Sequence, residues 1–270
     1  MSDRADPTNR QHRCAIAIMA KAPTAGRTKT RLSPFLTPDQ ARDLGCCFLR
    51  DITANLALAA RNVAIDPYIA FAPAGSEAAF VPIVEPGTRF VLADGTLPAP
   101  PQIEGLGRSL HQAAHGLLDA GYGAVGLLNA DSPTLPTSIL EEAVRLVAQG
   151  RVVLGPSVDG GYYLIAMRRL HAELFAAIDW STDRVAAQTR RRAHGLGLDV
   201  VDLPVWDDVD DPPSLRRLID EIDGTARPAG RHVPYAAPVT VRWLRDNRIL
   251  ERLGGASPTA AAAGLAPPDR

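Results

Sequence analysis

Short apolar runs alternate with longer stretches of helical periodicity along most of this chain, and that alternation leaves few folds open. The runs at 14–20 (CAIAIMA), 67–73 (PYIAFAP), 89–94, 124–130 (AVGLLNA), 151–157, 161–167 and 199–205 read as strands. The segments 37–61, 107–121, 137–150, 181–197 and 212–223 carry apolar residues at helical spacing. Thr37, Thr137, and Ser181 or Thr182 are placed to cap three of these helices, with Pro38 suited to a first helical position. Strands separated by helices need crossover connections, so the expected fold class is α/β: a Rossmann-like, mostly parallel sheet with helices on both faces. In such sheets ligands bind beyond the carboxyl ends of the strands.

Residues 1–12 are polar and read as a flexible arm, 13–223 as the α/β domain, and 224–270 as a Pro/Gly/Ala-rich extension with one helix over 239–253. The chain has 29 Lys+Arg against 30 Asp+Glu, a net charge of −1, which speaks against broad electrostatic binding of nucleic acid. The longest apolar run falls short of the ~18 residues a membrane span needs, and no signal peptide opens the sequence. Three cysteines, two of them adjacent, make neither a disulfide framework nor a zinc site, so the expected compartment is the cytoplasm. The sequence assigns no oligomeric state.

Against that neutral background, four cations follow the first strand with no acid among them: Lys21, Arg27, Lys29 and Arg31. A cationic loop at a strand's carboxyl end suits phosphate, with Gly26 giving room for close approach and Lys29 and Arg31 supplying charge. It matches neither the P-loop nor the G-x-G-x-x-G pattern, and a solvated basic loop is the competing reading. Asp131 stands just past the strand at 124–130 and can ligate Mg²⁺ or Mn²⁺ or cap a turn. The late run VWDDVDDPPSL holds Asp207, Asp208, Asp210 and Asp211; one of them can give a metal its second ligand, and spacing does not choose which. The turn Asp159-Gly160-Gly161 reads first as a hairpin and second as an acceptor site, with Asp159 as general base. Trp180 is either a core aromatic or a wall of that site.

Five blocks in order resemble a bacterial family of glycosyltransferase-A-fold proteins known as radical-SAM/selenodomain-associated, or arsenosugar-biosynthesis, glycosyltransferases. They are KAPTAGRTKTRL (21–32), NADSPTLP (129–136), GPSVDGGYYL (155–164), Trp180-Ser181-Thr182, and DVDDPPSL (208–215). The resemblance implies a nucleotide-diphospho-sugar transferase fold working with Mg²⁺ or Mn²⁺. It places Lys21, Gly26, Lys29 and Arg31 on the nucleotide's phosphates and Asp131 and Asp210 on the metal. Asp159, Gly160, Gly161 and Trp180 fall on the acceptor side, with Lys29, Arg31 and Asp159 in catalysis. The implied partners are a nucleotide-activated donor and a small-molecule acceptor. Asn129 stands where the pattern has Gly, and DDPPSL replaces DTPEDL. A guanylyltransferase-like nucleotidyltransferase, releasing pyrophosphate, and a non-catalytic nucleotide-binding module are the alternative readings.

Overall fold

Strand β1 (Cys14–Lys21) is buried on both faces: Ile16 and Ile18 point into one apolar cluster, Ala15 and Ala17 into another. A strand of that kind cannot sit at an edge. A computed structural model, which describes residues 7–33, 35–224 and 232–254, places it third in a seven-stranded sheet of order β3-β2-β1-β4-β6-β5-β7. The other strands are β2 (Ile65–Ala72), β3 (Arg89–Leu92), β4 (Ala124–Leu128), β5 (Val152–Pro156), β6 (Tyr162–Met167) and β7 (Val200–Asp202). β1 runs parallel to β2 and β4, β2 to β3, and β5 to β7; β6 alone is antiparallel to both its neighbours. The hairpin β5–β6 inserts that reversed strand, so β4 and β5 run the same way on either side of it.

The helices are α1 (Pro7–Arg10), α2 (Pro38–Ala59), α3 (Leu106–Asp119), α4 (Thr137–Ala148), α5 (Val185–Gly195), α6 (Pro212–Ile222), α7 (Pro238–Asp246) and α8 (Ile249–Gly254). Leu44 of α2, Ile139 of α4, Leu215 of α6, Leu244 of α7 and Ile249 of α8 share the cluster with Ile16 and Ile18. Leu110 of α3 and Ala186 of α5 share the cluster on the opposite face. The N-terminus of α2 forms as expected: Thr37 accepts from the Gln40 backbone N–H and Gln40 returns the bond, with Pro38 at the first turn.

Other local expectations give way to tertiary contacts. Thr137 lies inside α4 after Pro136, and its hydroxyl donates to Asn55 of α2 at 2.6 Å instead of capping its own helix. Ser181 takes a left-handed φ of 64°, Thr182 donates to the Asp179 carbonyl, and α5 starts only at Val185. The single helix expected over 239–253 is two, because Arg248 turns left-handed with φ 55° between α7 and α8. In the arm, Pro7–Arg10 make one helical turn whose Arg10 carbonyl accepts from Gly123 N. Residues 1–6 and the low-complexity 255–270 lie outside the described residues.

The described part of the C-terminal extension, 232–254, contributes to the core. Ala237, Leu244 and Ile249 are at most 1% exposed. The carboxylate of Asp51, fully buried on α2, accepts from the Val239 and Thr240 N–H groups at the start of α7 (3.1 and 2.7 Å). Those N–H groups have no partner within α7 itself, so an acid from another helix serves as their cap. Asp51→Ala therefore lowers stability by about 2–4 kcal/mol, read as a drop in the urea midpoint with an unchanged slope.

Candidate active site

Strand polarity brings four loops to one edge. Three follow the parallel strands β1, β4 and β7, and the fourth is the turn between β5 and β6. The basic loop, Asp131, the Asp159 turn and the acid run at 207–211 thus meet at the carboxyl edge of the sheet. Two adjoining cavities open there. The first, about 300 Å³, is lined by Lys21, Arg27, Lys29, Arg31, Asp131 and Asp210, among others. The second, about 450 Å³, is lined by Asp159, Gly161, Trp180 and Asp208, and shares Arg31, Asp131 and Asp210 with the first. A larger cavity of about 730 Å³ lies at the opposite edge, around Tyr122, Arg151 and Arg168, and none of the candidate site residues reaches it.

Lys29 is the centre of the first cavity. Its side chain is 6% exposed and lies over the Phe48 ring at 5.2 Å. The ammonium Nζ sits 2.5 Å from Asp131 Oδ1 and 3.0 Å from Asp210 Oδ1, and donates to the Val209 carbonyl at 2.5 Å. Burial opposes its charge, but Asp131 and Asp210 outweigh that cost and its pKa is raised, so it stays charged. Its backbone is left-handed, φ 51°, which turns the chain into the short 3₁₀ turn Thr30–Leu32 anchored by buried Leu32. Arg31 is exposed on the same turn, facing both cavities. Gly26 lies on the same basic loop. It has a positive φ of 76°, which favours glycine, and a Cβ there would meet only open space, within 4 Å of nothing.

In the second cavity, the Asp159 carboxylate accepts from Gly161 N at 2.8 Å and is otherwise exposed. The turn is a hairpin, since Ser157 N also donates to the Gly161 carbonyl, and Asp159 and Gly161 line the cavity. Gly160 faces the chain itself. A Cβ on it would stand 2.1 Å from the Asp183 carbonyl, and its own carbonyl accepts from Ala186 N. Trp180 meets Tyr162 edge-to-face with ring centroids 6.4 Å apart, and both rings line the cavity.

The four late acids separate by partner. Asp207 pairs with Arg217 of α6. Asp211 caps α6, accepting from Ser214 N while Ser214 Oγ takes the Asp211 N–H, so the departure from the DTPEDL pattern is repaired by a different capping pair. Asp208 and Asp210 face the cavities. Asp208, Asn129 and Asp183 are lining residues that the sequence reading did not assign; Asp208 alone carried a signal, as a member of the acid run. Asn129 donates to Ser132 Oγ at 3.1 Å and receives Asp131 N at 3.4 Å, holding the Asp131 loop where the family pattern has Gly.

Among the described residues no three His, Cys, Asp or Glu side chains surround one point closely enough to hold an ion by themselves. Mg²⁺ is commonly held by only one or two carboxylates plus substrate phosphates. Asp131 and Asp210, whose oxygens already converge on one cation, fit that requirement.

A family model described as "Uncharacterized protein conserved in bacteria (DUF2064)" matches residues 55–182. No curated protein matches the sequence. Among solved structures, the chain is similar to a candidate nucleotide-diphospho-sugar transferase from Desulfovibrio desulfuricans G20, with 27% identity, a TM-score of 0.72, and coverage of 88% of this chain and 96% of that one. It also overlaps CMP:2-keto-3-deoxy-manno-octonic acid synthetase complexed with CTP (12% identity, TM-score 0.49, 79% and 100% covered). A third likeness is to Rv0371c of Mycobacterium tuberculosis H37Rv in complex with manganese (18%, 0.43, 76% and 97%). The fold is thus the Rossmann-like α/β arrangement of the nucleotide-diphospho-sugar transferase type.

Burial, reinforced by Asp159, Asp210 and Asp131, pushes the Asp208 carboxyl up to about 7. In the unfolded chain it ionises near pH 4. Between those values the folded state binds the extra proton, so this group's contribution to stability falls as pH rises through that window and is level above it. In metal-free buffer, Asp208→Asn stabilises the protein at pH 8 by about 1–2 kcal/mol, after allowance for partial solvent screening, and leaves stability at pH 3.5 unchanged. Chemical denaturation at the two pH values checks this.

Proposed function

We propose that this protein is a metal-dependent glycosyltransferase that moves a sugar from a nucleoside-diphosphate sugar to a small-molecule acceptor. The observation that carries the reading is the shared wall of the two cavities. Arg31, Asp131 and Asp210 belong to both, so a donor with its diphosphate in the basic cavity ends at the mouth of the Asp159 cavity. The likeness to the Desulfovibrio protein supports the donor class. The finer kinship with radical-SAM/selenodomain-associated or arsenosugar-type transferases rests on the five motif blocks.

In this reading Lys21 and Arg31 bind the donor's phosphates; Arg can hold two oxygens at once. Asp131 and Asp210 would hold Mg²⁺ or Mn²⁺, which would supply positive charge against that building on the leaving diphosphate. Asp159 receives the acceptor's hydroxyl through the carboxylate oxygen that Gly161 N leaves free, orienting it or taking its proton as it attacks the sugar carbon. Trp180 and Tyr162 form the apolar wall against which the acceptor lies. The compartment is the cytoplasm on cysteine usage, with three free thiols, and no described helix is long and apolar enough to cross a membrane.

The test is product analysis with a panel of nucleoside-diphosphate sugars and nucleoside triphosphates, each with Mn²⁺ and with EDTA. Free nucleoside diphosphate that vanishes with EDTA is the expected product. Pyrophosphate release would favour nucleotidyl transfer, and tight binding without turnover a non-catalytic module. Asp131→Ala is expected to lower kcat/KM by about 100-fold or more; full activity in that variant removes the metal assignment.

A further inference from the structure

We propose that Lys29 is the resident cation of the two-acid site, and that a divalent ion enters only by displacing its ammonium, which then turns to the donor's diphosphate. This inference rests on the transferase reading above and assigns Lys29 a switching role within it.

An ammonium has three N–H donors and no acceptor. In Lys29 the ammonium is fully engaged: it donates to Asp210 Oδ1 (3.0 Å) and the Val209 carbonyl (2.5 Å) and ion-pairs with Asp131 Oδ1 (2.5 Å). No N–H remains for a phosphate oxygen, although Lys29 lines the cavity suited to one. The lysine predicted to grip phosphate is here bound to the acids predicted to grip metal. Both assignments hold only if the side chain has two positions.

The two cations exclude each other at this point. Mg²⁺ binds oxygen at about 2.0–2.1 Å, so an ion held by these two carboxylates would compete for the space Nζ fills. Two positive centres that close repel, most of all where one of them, the Lys29 side chain, is only 6% exposed. The backbone has little freedom to yield: the left-handed φ at Lys29 is followed by a 3₁₀ turn whose Leu32 is 0% exposed. The four-carbon side chain, lying over the Phe48 ring, is the part that swings.

Displacement leaves a charged ammonium without partners unless an anion arrives. A diphosphate in the adjoining basic cavity supplies one. Metal and diphosphate therefore bind with positive coupling, and each raises the other's affinity by the same factor. Lys29 thereby keeps the ion from settling before the donor does.

The experiment measures Mn²⁺ affinity by paramagnetic resonance of the free ion, with and without inorganic pyrophosphate, for the wild type, Lys29→Met and Asp131→Asn. The wild type is expected to bind Mn²⁺ weakly alone and at least about 10-fold tighter with pyrophosphate. Lys29→Met is expected to bind Mn²⁺ alone about 10-fold tighter than the wild type, with most of the pyrophosphate gain lost, and Asp131→Asn to lose the ion. Equal or weaker Mn²⁺ binding by Lys29→Met overturns the switch and leaves the transferase reading standing, provided Asp131→Asn still abolishes binding. Absence of Mn²⁺ from every protein, with pyrophosphate present, overturns both. Because Lys29→Met leaves two acids unpaired and can unfold, the wild type gives a second measurement. The hydrogen-bonded Lys29 ammonium has its own ¹⁵N resonance, assigned by its loss in Lys29→Arg. Mg²⁺ with pyrophosphate is expected to shift or erase that resonance; an unchanged signal with Mg²⁺ bound overturns the inference.

Discussion

Burial of β1 on both faces is the constraint from which the rest of the architecture follows. Its alternating residues reach two separate apolar clusters, so helices must cover the sheet on each side and neighbouring strands must pair along both edges of β1. Small side chains on the α3 side, Ala15, Ala17 and Ala70, share a cluster with Ala113 and Ala114 of α3. Larger ones, Ile16 and Ile18, face the five-helix side. Parallel pairing of β1 with β2 and β4 then fixes which edge receives the loop after each strand.

Charge ties that edge together beside apolar anchors such as Leu32 and Val209. The ammonium of Lys29, reached directly after β1, binds Asp131 after β4 and Val209 and Asp210 after β7. Three loops far apart in sequence are pinned by one side chain, and the acids it pins are those suited to an ion. Burying a charge is tolerable only when it is well paired. The pairing here is complete for the lysine and leaves the acids with further oxygens, a state suited to exchanging one cation for another.

Much of the fold was legible because strand and helix periods differ and few topologies accept their alternation. β1, α2 with its Thr37 cap, and the crossover to β2 all follow from local pattern. The misread details share one cause. Thr137, Ser181 and Thr182 have the residue type of a helix cap, yet each serves a contact or turn outside the first turn of its helix. The tail after 224 reads as an appendage from composition, but α7 finds its N-terminal partner in Asp51, a residue 188 positions away from Val239. No local signal reports such a bond.

The sequence by itself determined the element order, the parallel sheet and the gathering of cations, Asp131 and the Asp159 turn at one edge, because strand polarity alone dictates where those loops lie. Only the tertiary structure divided the four late acids into a helix cap, an ion pair and two cavity-facing carboxylates, because that division depends on which cation or N–H each meets across the fold. It likewise decided that Lys29 faces carboxylates instead of open solvent: the side chain's partners lie about a hundred or more residues downstream, and sequence spacing carries no information about distances closed by folding.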